Sequence, residues 1–180
     1  MTKLAGFPQR PRNGDAERGI RLSRLERGRM AEQKGLGWVR LDHLAIAAED
    51  PKAASHFWGK LFGLELDHWT VSNEGGFRVS QFHFPKRQVG LEVIGPFDES
   101  SFVQKFIDQR GPGMHHITVE VEDADAACEF VREEMGIEPL SEPYTDFEWK
   151  QFFIHPRDTG GVLVQIYSWL PGRRPADWPD

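Results

Sequence analysis

The sequence predicts an α+β protein made of two paired βαβββ modules, and three observations lead there. The segment Asp42-His43-Leu44-Ala45-Ile46-Ala47-Ala48-Glu49-Asp50 returns 73 residues later as His115-His116-Ile117-Thr118-Val119-Glu120-Val121-Glu122-Asp123. The same offset carries Ala53 to Ala126, Phe57 to Phe130, Gly63 to Gly136 and Glu65 to Glu138. After a short slip, where Phe84-Pro85-Lys86 faces His155-Pro156-Arg157, it resumes with Val89/Val162, Leu91/Val164, Glu92/Gln165 and Val93/Ile166. Finally, each copy reads as a strand, a helix and further strands. One such unit cannot cover both faces of its sheet, so two must pair.

In chain order, Trp38 to Ala47 reads as the first strand. Asp50-Pro51 starts a helix, with the carboxylate placed to cap and proline at the first helical position. That helix runs to Phe62 and stops at Gly63, which suits a left-handed C-terminal cap. Leu64 to Val71 and Phe77 to Phe84 read as strands around the turn Ser72-Asn73-Glu74-Gly75-Gly76, and Pro85-Lys86-Arg87 turns into a strand over Val89 to Ile94. A linker helix, Ser101 to Gln109, lies between Gly95-Pro96-Phe97-Asp98 and Gly111-Pro112-Gly113. Module two repeats the pattern: a strand over Met114 to Val121, a helix from Asp123 to before Gly136, then strands over Trp149 to Ile154 and Gly161 to Tyr167. The expected limits are a basic extension at 1–36, module one at 37–96, the linker at 97–112, module two at 113–168 and an irregular Pro-rich tail at 169–180.

With 39% hydrophobic and 28% charged residues, the 180-residue chain has the balance of a soluble globular protein with one sizeable core. The net charge of −6 hides an arm, residues 1–36, with nine Lys/Arg against four Asp/Glu. That arm lacks interleaved aromatics and any dense basic block, so it is expected to be a flexible or oligomer-contacting extension, with no nucleic-acid partner. No run approaches the ~20 apolar residues of a membrane span, and nothing reads as a secretory signal. The single cysteine, Cys128, fits a reducing compartment and reads as a packing thiol in a helix. A cytoplasmic location is expected.

Strand alternation brings the polar residues together. On the first strand Leu44 and Ile46 share one face, and His43, Ala45 and Ala47 the other. In module two Ile117, Val119 and Val121 oppose His116, Thr118 and Glu120. On the last strands Leu91 and Val93 oppose Glu92, and Val164 and Ile166 oppose Gln165. The aliphatic sets have a helix to pack on, so His43, Glu92, His116 and Gln165 are expected to point to the opposite, concave face, where small Ala45 and Ala47 leave room. Two imidazoles, a carboxylate and an amide oxygen suit one divalent ion: Co, Ni, Mn, Zn or Fe. His115 alternates onto the aliphatic face and reads as structural or as a support to a ligand. His83 reads as structural, Glu120 as a solvated residue near a strand end, and the segment 155–161 as a tight turn.

The Asp-His-x-Ala strand, Gly113-Met114-His115-His116-Ile117, and His155-Pro156-Arg157-Asp158-Thr159-Gly160-Gly161-Val162-Leu163-Val164 resemble the vicinal oxygen chelate superfamily of glyoxalases, bleomycin-resistance proteins and dioxygenases. Within it, Gly95-Pro96-Phe97-Asp98-Glu99-Ser100-Ser101 and the helix after it look most like the methylmalonyl-CoA epimerases. The resemblance covers Leu41 to Ser168. It implies an open barrel-like cleft around one metal ion, with ligands at His43, Glu92, His116 and Gln165. It also implies a small-molecule substrate such as an acyl-CoA, and a homodimer. Such epimerases and glyoxalases usually carry Glu on the last strand, where this chain has Gln165; an amide binds a metal through oxygen but accepts no proton at neutral pH. Glu92, at the pseudo-symmetric position, is the candidate base. The leading expectation is a metal-dependent enolate enzyme, an epimerase or isomerase of an acyl-CoA or related dicarbonyl, with a lyase as a near relative. Two His and one carboxylate also suit a non-haem Fe(II) dioxygenase, and the fold also supports a non-catalytic, resistance-type binding protein.

Overall fold

Both modules take the expected element order, and their first strands join them edge to edge. The computed structural model describes residues 35–72, 76–176 and 178. Apart from Gly35 and Leu36, the expected basic extension lies outside the described residues, as does the tip of the turn at 73–75. The elements are β1 (Trp38–Ala47), α1 (Pro51–Phe62), β2 (Leu66–Ser72), β3 (Phe77–His83), β4 (Gly90–Pro96), α2 (Phe102–Arg110), β5 (Gly113–Val121), α3 (Ala124–Glu133), β6 (Tyr144–Asp146), β7 (Trp149–Ile154) and β8 (Leu163–Trp169). They form one eight-stranded open sheet in the order β2-β3-β4-β1-β5-β8-β7-β6. β1 and β5 pair antiparallel at its centre, flanked by the parallel pairs β1–β4 and β5–β8. The short β6 carries too few residues to show an alternating pattern, which is why it does not stand out in the sequence.

Local chemistry sets the helix ends. Asp50 Oδ1 accepts from the Lys52 and Ala53 amides at 3.0 Å each, and Gly63 closes α1 with φ 66°. Asp123 Oδ1 does the same for α3, accepting from Asp125 N and Ala126 N. The aliphatic face then packs as the alternation requires. Phe82, Leu91, Val93, Leu44 and Ile46 meet Ala54 and Trp58 of α1. Phe152, Ile154, Ile166, Val121, Val119 and Val164 meet Ala124, Ala127, Cys128 and Val131 of α3. The large side chains that are fully buried there, such as Phe82, Val93, Phe152 and Ile166, each contribute about 1.5–3 kcal/mol. Cys128 is a packing thiol, as expected.

The approach of α1 to the sheet depends on Gly95 of β4. A Cβ there would stand 2.5 Å from Pro51 Cγ and 2.7 Å from its Cδ. The proline ring is rigid and starts the helix, so it cannot yield without moving α1. Gly95→Ala is therefore expected to destabilise the protein by about 1–3 kcal/mol, seen as a lower urea midpoint at an unchanged m-value. An unchanged midpoint would show that α1 has room to spare.

The opposite face is less open than the small residues suggested. Val103 and Ile107 of α2 pack onto Ala47, Val79 and Ile94. Ala45 and Ala47 are both fully buried. The expectation that these alanines leave space is corrected for Ala47: the linker helix roofs that end of the face.

Candidate metal centre

Two pseudo-symmetric β-bulges build the site. In the β1–β5 ladder Leu41 pairs with Val119 and His43 with Thr118, leaving Asp42 as the extra residue. Further along, Ala45 pairs with His116 and Ile46 with Met114, leaving His115 extra on β5. A bulge suspends alternation locally, so each module presents two successive side chains to the face opposite its helix. Asp42 Oδ2 contacts His43 Nδ1 at 2.7 Å, and His115 Nδ1 contacts His116 Nδ1 at 2.8 Å. This corrects the placement of His115: its ring lies against Phe102 and Phe106 of α2, with centroids 5.7 and 4.8 Å apart, and supports His116 from behind.

Three of the four expected ligands converge directly. His43 Nε2 stands 3.3 Å from His116 Nε2 and 3.4 Å from Glu92 Oε2, and His116 Nε2 lies 4.0 Å from Glu92 Oε2. Donors about 2.1 Å from one ion at angles near 90–110° stand about 3.0–3.4 Å apart, so the cluster fits a divalent cation with little adjustment. Its two imidazoles and one carboxylate are also the donor types that such a cation takes. The cross-strand registers explain the meeting: Ala45 lies between Glu92 and His116, and its symmetry mate Thr118 lies between His43 and Gln165.

Gln165 joins through Thr118, a residue that the sequence placed on the right face without giving it a role. The Thr118 hydroxyl donates to Gln165 Oε1 at 2.8 Å and stands 2.8 Å from His43 Nε2. The Gln165 amide nitrogen donates to Gln151 Oε1 at 2.5 Å, which turns its carbonyl oxygen towards the site. On the other module, Gln81 Nε2 donates to Glu92 Oε1 at 3.3 Å. Neither glutamine partner was singled out from the sequence. Their signal was only their position on the neighbouring strands.

Electrostatics separates the two histidines. Burial alone would lower the pKa of His43, but the Glu92 and Asp42 carboxylates outweigh it and hold it above the usual value. The pKa of His116 falls well below the ordinary value, through burial and then the neighbouring His43 and His115. In the metal-free protein His43 thus takes up a proton first, donating through Nδ1 to Asp42 and through Nε2 to Thr118. Burial would raise the pKa of Asp42, but its hydrogen bond and charge interaction with His43, with Arg40 and Tyr167 beside it, keep it low. Glu120 is not solvated as expected; it is 2% exposed and pairs with Arg174, Tyr167 and Arg40.

This fold and these paired modules are shared with known proteins. The profile of the Glyoxalase/Bleomycin resistance protein/Dioxygenase superfamily matches residues 42–153, and the chain belongs to that superfamily. Within it, the chain is similar to the ethylmalonyl-CoA/methylmalonyl-CoA epimerase of Cereibacter sphaeroides, at 32% identity over 131 residues, covering 71% of this chain and 96% of that one. The crystal structure of methylmalonyl-CoA epimerase from Mycobacterium tuberculosis matches with a TM-score of 0.68 and 31% identity, over 77% of this chain and 93% of that one. A variant of the Streptomyces coelicolor methylmalonyl-CoA epimerase, in complex with 2-nitronate-propionyl-CoA, matches with a TM-score of 0.64 and 30% identity, over 73% and 98%. Among the described residues, no helix is long and apolar enough to cross a membrane.

Proposed function

We propose that this chain is a metal-dependent epimerase of a branched malonyl-CoA or a closely similar acyl-CoA, with His43, Glu92, His116 and Gln165 as the metal ligands. The observation that carries the reading is the convergence of the two Nε2 atoms and one Glu92 oxygen on a common point. The similarity to epimerases that act on methylmalonyl-CoA, and to one in complex with a propionyl-CoA analogue, supports the substrate class. The lyase and dioxygenase readings find no such support among these relatives.

A divalent ion held by these residues would supply the positive charge that offsets an enolate oxygen as it develops. Asp42 keeps a proton on His43 Nδ1, which leaves Nε2 free as a donor atom, and His115 orients His116. Glu92, the carboxylate of the cluster, takes the α-proton of the substrate; the C–H pair moves toward the carbonyl and the proton rests on a Glu92 oxygen. Return of a proton from solvent to the other side of the planar carbon inverts the centre, and the proton held on Glu92 passes to solvent. Gln165 contributes a neutral oxygen and no base.

The test is incubation of the Co2+- or Mn2+-loaded protein with one epimer of methylmalonyl-CoA or ethylmalonyl-CoA in D2O. Deuterium at the α-carbon together with loss of stereochemical purity is expected, at rates well above those without protein. Retention of the starting epimer and of its α-proton with every divalent ion tried would overturn the reading.

A further inference from the structure

Residues 170–178 lie beyond the segment matched by the superfamily profile. The described ones among them, 170–176 and 178, form no strand or helix, yet they do not hang free. Leu170 N donates to Glu148 O, Arg173 N to Leu170 O and Trp178 N to Pro175 O, which turns the chain back over the sheet. The Trp178 ring then lies under two guanidinium groups, those of Arg40 at 5.3 Å and Arg87 at 5.7 Å. It also meets the rings of His83 at 5.6 Å and Trp169 at 5.9 Å. Those partners come from both modules, so one indole bridges β3 and β8, four strands apart in the sheet.

Behind this indole runs a buried polar chain that ends at the metal cluster. Arg174 Nε donates to Glu120 Oε1 at 2.7 Å. Tyr167 OH contacts Glu120 Oε2 at 3.3 Å and Asp42 Oδ1 at 3.1 Å, and Arg40 Nη1 donates to Asp42 Oδ1 at 2.8 Å. Asp42 in turn holds His43 Nδ1. Two buried carboxylates, Asp42 and Glu120, thus face two guanidinium groups, Arg40 from β1 and Arg174 from the tail. Without Arg174 the pocket would hold one more anion than cations next to His43, and the Trp178 ring covers the guanidinium of the Arg40–Asp42 pair.

We infer that the C-terminal strap is a working part of the site: Arg174 and Trp178 are positioning residues that set the orientation of His43 through Glu120, Tyr167, Arg40 and Asp42. This rests on the reading of His43 as a metal ligand. Removal of a partner that holds a ligand from behind, as Asp42 holds His43, costs about 10–100-fold in metal affinity. The strap acts further out: Trp178 reaches Asp42 through Arg40, and Arg174 through Glu120 and Tyr167.

The test uses the full chain with Arg174→Met, Arg174→Lys, Trp178→Ala and, as a control, Arg173→Met, whose side chain is exposed. Co2+ affinity is measured by competition with a chromophoric chelator, and the imidazole 15N resonances of His43 are recorded in the metal-free proteins. Arg174→Met and Trp178→Ala are each expected to weaken Co2+ binding about tenfold and to shift the His43 resonances. Arg174→Lys should recover most of the affinity, and Arg173→Met should match the parent. Should Arg174→Met fail to fold, by circular dichroism, Trp178→Ala decides. Unchanged affinity and unchanged His43 resonances in the folded variants would overturn the inference. A parent protein that binds no Co2+ would instead overturn the metal reading, and the His43 resonances would still judge the strap.

Discussion

Glu92→Gln is expected to lower α-proton exchange by about 10³-fold, within the range carried by a positioned base, and to weaken metal binding by more than about 100-fold. The cluster has one carboxylate, and the fourth ligand proposed for it, Gln165, is already an amide. The substitution therefore leaves two imidazoles and two neutral oxygens around a divalent charge. It also removes the proposed proton acceptor, and the new amide can face Gln81 with either its oxygen or its nitrogen. The double variant Glu92→Gln/Gln165→Glu restores the lost charge at the mirror position. Recovery should nevertheless be partial, because Gln151 Oε1 now accepts a hydrogen bond from the Gln165 amide and would meet a carboxylate oxygen instead. Metal titration of the three proteins, alongside exchange in D2O, decides the matter. A Glu92→Gln protein that binds metal as the parent does would remove Glu92 from the site.

The second large effect is on acid stability. The His115 pKa is pushed down to about 4, by burial first and then by the Arg110 charge. As pH falls through the unfolded-state value near 6.5, the unfolded chain takes a proton that the native state refuses until about pH 4. That difference removes about 3 kcal/mol of stability from the metal-free protein over the interval. His116, lowered mainly by burial, acts in the same direction. His43 acts in the opposite one: its raised value gives stability that is fully present below the unfolded pKa and is lost as pH rises through the folded one. His115→Phe places a ring beside Phe102 and Phe106 and removes one of these titrations. Its urea midpoint should fall less than that of the parent between pH 7 and pH 4.5. Parallel declines would show that His115 takes its proton as readily in the folded state as in the unfolded one.

The sequence carried much of the fold because its information is local and occurs twice. Asp50-Pro51 and Asp123 cap helices wherever they stand, and Gly63 ends one by its own backbone freedom. The alternation of Leu44, Ile46, Leu91 and Val93 against His43 and Glu92 needs no partner strand to be read. A 73-residue repeat of that pattern was enough to pair His43 with His116 and Glu92 with Gln165. The linker helix was legible too, though not the face it covers: nothing in Val103 and Ile107 says that they roof Ala47.

The supports of the site were not legible, because a bulge is a property of two strands. Asp42 and His115 look like ordinary alternating neighbours until β1 and β5 are set in register, and only then do both turn toward the histidine that follows. The same holds for Glu120, whose place near a strand end suggested water, and which is buried because a tail more than fifty residues later brings Arg174 to it. Side-chain period and capping are written along the chain and survive without context. Register, and the closure of a buried charge by a distant one, exist only once the strands have paired and the tail has packed. In this protein the first kind of information chose the candidate ligands, and the second chose how those side chains are held.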